Sequence, residues 1–556
     1  MSLYGIGASK GLAVGPAVVI RELPPIERRS LSPDELPAEK ARLHRALARA
    51  GGELAELQSR LSPELQGIIR AQLLFIQDPE LLEAIEAGME AGKNAEWAVA
   101  EATNEFVAAI SMLASDYLKE RAQDVKDFAR RLQAALLNVP APAIDLKQPS
   151  ILIAKDLTPS DTAALDVSMV LGFATETGGP TSHSVIIARS AGFPAIVGIR
   201  GLLDAVEAGD TVVLDAFSGE LIVNPPEPVR VSYAAQMEEQ RKQLLAAKNN
   251  KHLPSITMDG REVELAANIG SPQDAVSALE WGAAGVGLFR TEFLYMHKNS
   301  FPSEETQYAA YKEAVERMAP HPVIFRTLDI GGDKALPYLE MAAEENPFLG
   351  YRALRLCLDR PELFRTQLRA ILRAGEHGSI RMMFPMVATL DELRRTKQML
   401  REAAFELGIA RLPEIGIMVE IPSAAVLARM FAEEVDFFSI GSNDLIQYTM
   451  AADRGNKSVS YLYQHLEPAV LHLIAGVIEA AHSAGKWAGM CGEMAGDPQA
   501  IPILLGLGLD EFSMNAPSLP VARELVRSLS YAECRELAER ALKCRTVEEV
   551  SSLTYR

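Results

Sequence analysis

Hydrophobic and polar positions along this chain change period twice, and each change predicts a different kind of structure. The opening stretch is rich in glycine and valine and runs into Pro16-Ala17-Val18-Val19-Ile20, which predicts short strands and turns. From Ser32 the period becomes helical: Leu43, Leu47, Leu54, Leu57 and Leu61 follow helical spacing. Ser32-Pro33-Asp34-Glu35 reads as a capping box with proline at the first helical position. Ser62-Pro63-Glu64, Asp78-Pro79-Glu80 and Asn94-Ala95-Glu96 read as further helix starts. Residues 25–140 are therefore expected to form an all-helical block inserted into another domain.

Between Pro140 and Pro226 the pattern becomes α/β. Strands are expected at Ser150–Ala154 and Met169–Ala174, a short helix at Pro159–Leu165, and a late hairpin from Thr211–Asp215 and Glu220–Val223. The N-terminal strands are expected to complete this small domain. A polar helix from about Val229 to Lys251 follows Pro225-Pro226-Glu227-Pro228 and reads as a linker.

From about residue 255 a strand-then-helix unit repeats. The strands are expected at Val263–Ile269, Gly285–Phe289, Val323–Leu328, Arg381–Met386, Ile415–Glu420, Phe437–Ile440, Trp487–Cys491 and Glu511–Met514. Helical stretches such as Pro272–Ala283 and Leu390–Leu407 lie between them. Such alternation over roughly 300 residues predicts a (β/α)8 barrel.

Composition narrows the function classes. The chain has 556 residues, 48% of them apolar, enough for several cores. With 55 basic against 74 acidic residues the net charge is −19, which argues against nucleic acid and for a basic protein partner. No apolar run approaches the ~18 residues a membrane span needs, and the N-terminus lacks the regions of a signal peptide; a cytoplasmic protein is expected. The four cysteines, Cys357, Cys491, Cys534 and Cys544, are too scattered for a disulfide framework or a CxxC metal site.

Reactive residues gather where the barrel strands are expected to end: Arg290 and Glu292, Arg326 and Asp329, Glu420, Asn443 and Asp444, and Cys491 with Glu493. In a barrel these ends converge on one face. Arginines there suit a phosphate, the carboxylates Glu420 and Asp444 suit Mg²⁺, and the Cys491 thiol suits proton transfer. Each residue singly also has a bland reading, as an ion-pair partner, a turn or a small buried hydrophobe. A second site is written in Gly178-Gly179-Pro180-Thr181-Ser182-His183, where a helix start places His183 beside free N–H groups that suit a phosphate.

These motifs, with Gly287-Leu288-Phe289-Arg290-Thr291-Glu292, Asp329-Ile330-Gly331-Gly332-Asp333-Lys334, Asn346-Pro347-Phe348-Leu349-Gly350-Tyr351-Arg352, Met418-Val419-Glu420-Ile421-Pro422, Gly441-Ser442-Asn443-Asp444-Leu445 and Cys491-Gly492-Glu493-Met494-Ala495-Gly496, resemble the enzyme I family of the bacterial phosphoenolpyruvate-dependent sugar phosphotransferase system essentially end to end. The resemblance implies a multidomain α/β chain. Residues 1–24 and 141–226 would form the phosphohistidine swivelling domain. Residues 25–140 would be a helical domain that docks the carrier HPr. Residues 227–254 would be the linker helix, and residues 255–556 the phosphoenolpyruvate-binding (β/α)8 TIM barrel, which dimerises.

The resemblance also implies the roles. His183 takes the phosphoryl group, Arg290 and Arg326 bind phosphate, and Glu420 and Asp444 ligate Mg²⁺. Asn443 and Arg454 hold the substrate's phosphate and carboxylate. Cys491 protonates the enolate at carbon three to give pyruvate, while Arg352 and Lys334 lie nearby. Thr177 and Pro180 stand where the family commonly carries Asp and Arg, a departure that leaves the nucleophile in place. Pyruvate phosphate dikinase and phosphoenolpyruvate synthase share the histidine domain and barrel but need an upstream ATP-binding domain. Two alternatives stay open: a regulatory-branch paralogue that phosphorylates a different HPr-like carrier, and a non-catalytic regulator of the same fold.

Overall fold

The computed structural model describes the chain except residues 21, 22, 25, 61–72, 74, 77, 112–115, 140–145, 147, 158–166, 179–183, 186, 187, 189–191, 297–299, 333–335, 337, 340, 343, 455, 554 and 556. The starts expected at Ser62-Pro63-Glu64 and Pro159–Leu165 fall outside the described residues. The chain divides into two compact units, Met1–Glu239 and Gln240–Arg556.

In the first unit, β1 (Ser2–Tyr4), β2 (Ile6–Ser9) and β3 (Leu12–Ile20) precede, among the described residues, four long helices. These are α1 (Leu36–Arg60), α2 (Pro79–Glu90), α3 (Ala95–Ser111) and α4 (Asp116–Leu137). Asp78 caps α2 by accepting from the Leu81 N–H at 3.0 Å, with Pro79 as first helical residue. The Ser32–Glu35 box behaves differently from expectation. The Glu35 carboxylate does accept from the Ser32 N–H at 2.8 Å and from its hydroxyl at 2.9 Å, but α1 begins only at Leu36. The segment is a turn that precedes the helix, because the Ser32 hydroxyl donates to Glu35 instead of accepting from its backbone. Leu43, Leu81, Ile85, Val99, Phe128 and Leu132 share the helical core.

The chain then adds β4 (Ser150–Ala154), β5 (Val170–Thr175), β6 (Ala195–Val197), β7 (Thr211–Asp215) and β8 (Glu220–Val223). With the first three they make one sheet in the order β1-β8-β7-β3-β4-β5-β6-β2. The long β3 pairs antiparallel with β7 and parallel with β4, so the N-terminal strands do complete the small domain. Helix α5 (Glu227–Asn249) follows.

The second unit is a closed parallel barrel of β9 (Glu264–Ile269), β10 (Val286–Arg290), β11 (Val323–Arg326), β12 (Ile380–Phe384), β13 (Glu414–Val419), β14 (Phe437–Ile440), β15 (Trp487–Met490) and β16 (Glu511–Met514). Its strands are buried on both faces, which is why they read as apolar runs. Outward residues such as Phe289, Phe325 and Phe438 pack under the helices, including α6 (Leu390–Glu406). Leu288, Ile324, Met383, Met418, Phe437 and Cys491 fill the interior. No helix among the described residues is long and apolar enough to cross a membrane.

Candidate functional site

The barrel closure brings the C-terminal strand ends of β10, β11, β13, β14 and β15 to one mouth, where side chains from distant stretches of chain meet. Arg290 ends β10 with its side chain open to solvent. Among the described residues it forms no hydrogen bond or ion pair.

Arg326, at the end of β11, is buried instead. Its guanidinium donates to Glu292 at 2.8 Å and faces Asp329 at 3.1 Å. Arg352 is 2% exposed and meets Asp329 at 2.8 Å and Asp444 at 3.5 Å. Its other nitrogen donates to the Tyr448 hydroxyl at 3.2 Å, which in turn donates to the Phe348 carbonyl at 2.6 Å. Burial opposes both charges, but the adjoining carboxylates outweigh it and hold both arginines above the ordinary value.

Glu420 follows β13 and Asp444 lies in the first turn of α7 (Ser442–Met450), where the helix dipole favours an anion. Glu420 accepts from the Met386 N–H at 2.6 Å. Burial first, then Asp444 and Asp329, push the Glu420 carboxyl up to about 8, against the pull of Arg326 and Arg352. Arg454 contacts Asp444 at 3.4 Å and lies over the Phe348 ring at 5.7 Å, the same distance as Arg352. Asn443 accepts from the Glu493 N–H at 3.0 Å, which ties the first turn of α7 to the segment after β15. Cys491 is 4% exposed, with its sulfur 3.9 Å from the Ile440 carbonyl.

The structure thus gathers Arg290, Arg326, Arg352, Glu420, Asn443, Asp444, Arg454 and Cys491 at the barrel mouth. His183 and Lys334 lie outside the described residues. Near His183, Val185 and Ala188 are fully buried in the small domain, and the Thr177 N–H donates to the Lys155 carbonyl at 2.8 Å. The sequence reading gave no task to Glu292 or Asp329, which neutralise the arginines, nor to Phe348 and Tyr448. Glu292, Asp329 and Phe348 were signalled by membership of the quoted motifs, and Asp329 also by its place three residues after Arg326; Tyr448 lies outside those motifs and carried no signal.

The donor set suits a hard divalent cation. Among the described residues no group of three or more His, Cys, Asp or Glu is arranged to hold a metal. Two buried carboxylates, completed by substrate oxygens and water, are the usual Mg²⁺ arrangement. Burial, and after it the charges of Asp444 and Asp329, raise the Glu420 carboxyl, and a bound cation would favour its charged form.

Comparison with known proteins adds to this geometry. Residues 245–531 match the family model described as "PEP-utilising enzyme, PEP-binding domain", residues 4–121 the N-terminal model and residues 146–219 the mobile-domain model of the same enzymes. The chain is 49% identical over 562 residues to phosphoenolpyruvate-protein phosphotransferase of Staphylococcus carnosus, covering 99% of this chain and 98% of that protein. It is 48% identical to the protein of the same name from Geobacillus stearothermophilus, over 100% of this chain and 98% of the relative. The Bacillus subtilis protein of that name is also 48% identical, over 99% and 98%.

Proposed function

The chain belongs to the phosphoenolpyruvate–protein phosphotransferase family, and from that premise we propose that it takes the phosphoryl group of phosphoenolpyruvate onto His183 and hands it to the carrier protein HPr. It is a transferase that moves a phosphoryl group from phosphoenolpyruvate to protein. Pyruvate is released, and transfer to HPr begins sugar uptake by the phosphotransferase system.

The observation that carries this reading is the contrast between Arg290 and its neighbours. Arg326 and Arg352 are paired with carboxylates, whereas Arg290 has no such partner among the described residues and is open to solvent. An incoming phosphate finds a free guanidinium at the rim and two buried ones behind it. Phosphoryl transfer depends on such positioning and charge neutralisation more than on covalent work by the protein. Arg290 and Arg326 bind the phosphate, while Asn443 and Arg454 orient phosphate and carboxylate. Arg352 adds positive charge from below, and Lys334 lies in the adjoining motif.

Glu420 and Asp444 would hold Mg²⁺, which when bound stabilises negative charge on the substrate's oxygens. His183 attacks the phosphorus. Cys491 gives its proton to carbon three of the enolate. We assign residues 1–24 and 141–226 to the phosphohistidine domain, 25–140 to HPr docking, 227–254 to the linker, and 255–556 to substrate binding and homodimerisation.

The test is intact-mass analysis after incubation with phosphoenolpyruvate and Mg²⁺. Wild type gains one acid-labile phosphoryl group, releases pyruvate, and loses the group again when HPr is added. Absence of that mass shift overturns the reading.

A further inference from the structure

The last barrel strand carries a buried carboxyl group to which the reading above gives no task. Glu511 opens β16 and is 2% exposed. Neither of its carboxyl oxygens has a hydrogen-bond partner among the described residues. The side chain lies across the space left by two glycines. A Cβ on Gly287 would fall 1.9 Å from Oε1, and one on Gly489 would fall 2.4 Å from Oε2. Any side chain at either position would displace the carboxyl group. Gly287 lies on β10, which ends at Arg290, and Gly489 lies two residues before Cys491. Gly489 is also the partner of Glu511 in the parallel register of β15 and β16. Side chains alternate between barrel interior and exterior along a strand, so Cys491 shares the inward face with Gly489. Glu511 therefore stands one layer behind Cys491, on the side away from the mouth.

An unpartnered buried carboxylate is costly, and the neutral acid is the form such a site favours. The groups facing Glu511 agree with this. Burial, and then Glu264 on β9, push its carboxyl up to about 8, while Arg381 on β12 draws it down. Cys491 lies higher, at about 11, through burial; Ser439 and Arg326 lower it and Glu511 and Glu420 raise it. A proton on Glu511 therefore moves downhill to a thiolate at Cys491.

We propose that Glu511 is the proton store behind Cys491 and restores the thiol from the barrel interior after each turnover. This rests on the reading of Cys491 as the acid that protonates the enolate. In that step the S–H bond breaks as a C–H bond forms at carbon three, leaving a thiolate. The Glu511 O–H bond then breaks as the S–H bond re-forms, leaving a carboxylate. Solvent water returns one proton to Glu511 before the next cycle, so one solvent proton enters each pyruvate. The interior route matters because product and substrate occupy the mouth while the thiol is discharged. Glu511 touches no substrate and acts through Cys491.

Glu511→Gln keeps the shape of the side chain and removes its transferable proton. Rapid-quench measurement on the full chain, with phosphoenolpyruvate, Mg²⁺ and HPr, should show the first pyruvate per site at the wild-type rate and later turnovers slowed roughly 10²-fold. Steady turnover equal to wild type overturns the proposal, as does an equal slowing of the first turnover, when the thiol is already charged. Cys491→Ala is measured alongside. If it forms pyruvate normally, the acid assignment itself falls; if it fails while Glu511→Gln turns over normally, only the role of Glu511 falls. Should Glu511→Gln not fold, infrared spectra of the Mg²⁺-saturated wild type decide. The carbonyl stretch of a protonated carboxylic acid at pH 7 supports the proposal, and its absence overturns it.

Discussion

Asp329 and Arg352 face each other at 2.8 Å, each with only 2% of its side chain open to solvent. The second Asp329 oxygen meets Arg326 at 3.1 Å, so one carboxylate anchors two of the arginines in the mouth. Among the described carboxylates, removing it leaves Arg326 only Glu292 and Arg352 only Asp444, at 3.5 Å, so two buried guanidinium groups are under-compensated and Asp329→Ala should destabilise the barrel by about 3 kcal/mol. Denaturant unfolding followed by tryptophan fluorescence checks this. Unchanged stability would mean that water or a rearranged neighbour takes over the carboxylate's task.

Glu420→Ala and Asp444→Ala should each abolish most Mg²⁺-dependent turnover, since each removes one of two protein carboxylates offered to the cation. Pyruvate release measured across a Mg²⁺ titration checks it, with excess chelator on the wild type as the control. Full activity in chelator would show that the two carboxylates serve another purpose.

His183→Ala should lose phosphorylation and retain phosphoenolpyruvate binding near the wild-type level, because the groups proposed to bind the substrate lie on the barrel. Mass spectrometry and calorimetric titration separate the two effects. Stable phosphorylation of the variant would move the nucleophile elsewhere.

The Cys491 thiol should respond to pH in a definite direction. Burial, ahead of the other contributions, pushes it up to about 11, so the neutral thiol dominates at physiological pH and the reactive thiolate is scarce. Inactivation by iodoacetamide should be slow near pH 7 and rise about tenfold per pH unit until the thiol titrates. Phosphoenolpyruvate with Mg²⁺ should protect. A rate that levels off near pH 8 would place the thiol in a far more electropositive setting than the one described.

The period of the chain alone determined a great deal. Phe437–Ile440 and Glu511–Met514 are strands at the bounds their apolar runs predicted, and the alternation of strands with helices was enough to predict a closed barrel. Local chemistry was legible too, as in the Asp78 cap on α2, because a cap depends on neighbours three residues away. The clustering of reactive residues at strand ends named the mouth, since barrel topology converts sequence position into spatial convergence. The tertiary structure decided which charges meet. Glu292 pairs with Arg326 across 34 residues, Asp329 with Arg352 across 23, and Arg352 with Asp444 across 92. No periodicity records such separations. Glu511 is the clearest case: in sequence it is an ordinary acidic residue at the start of a strand. Only closure of the barrel, with β16 paired to β15 and β9, turns it inward, between two glycines and away from water, and burial then makes its proton available.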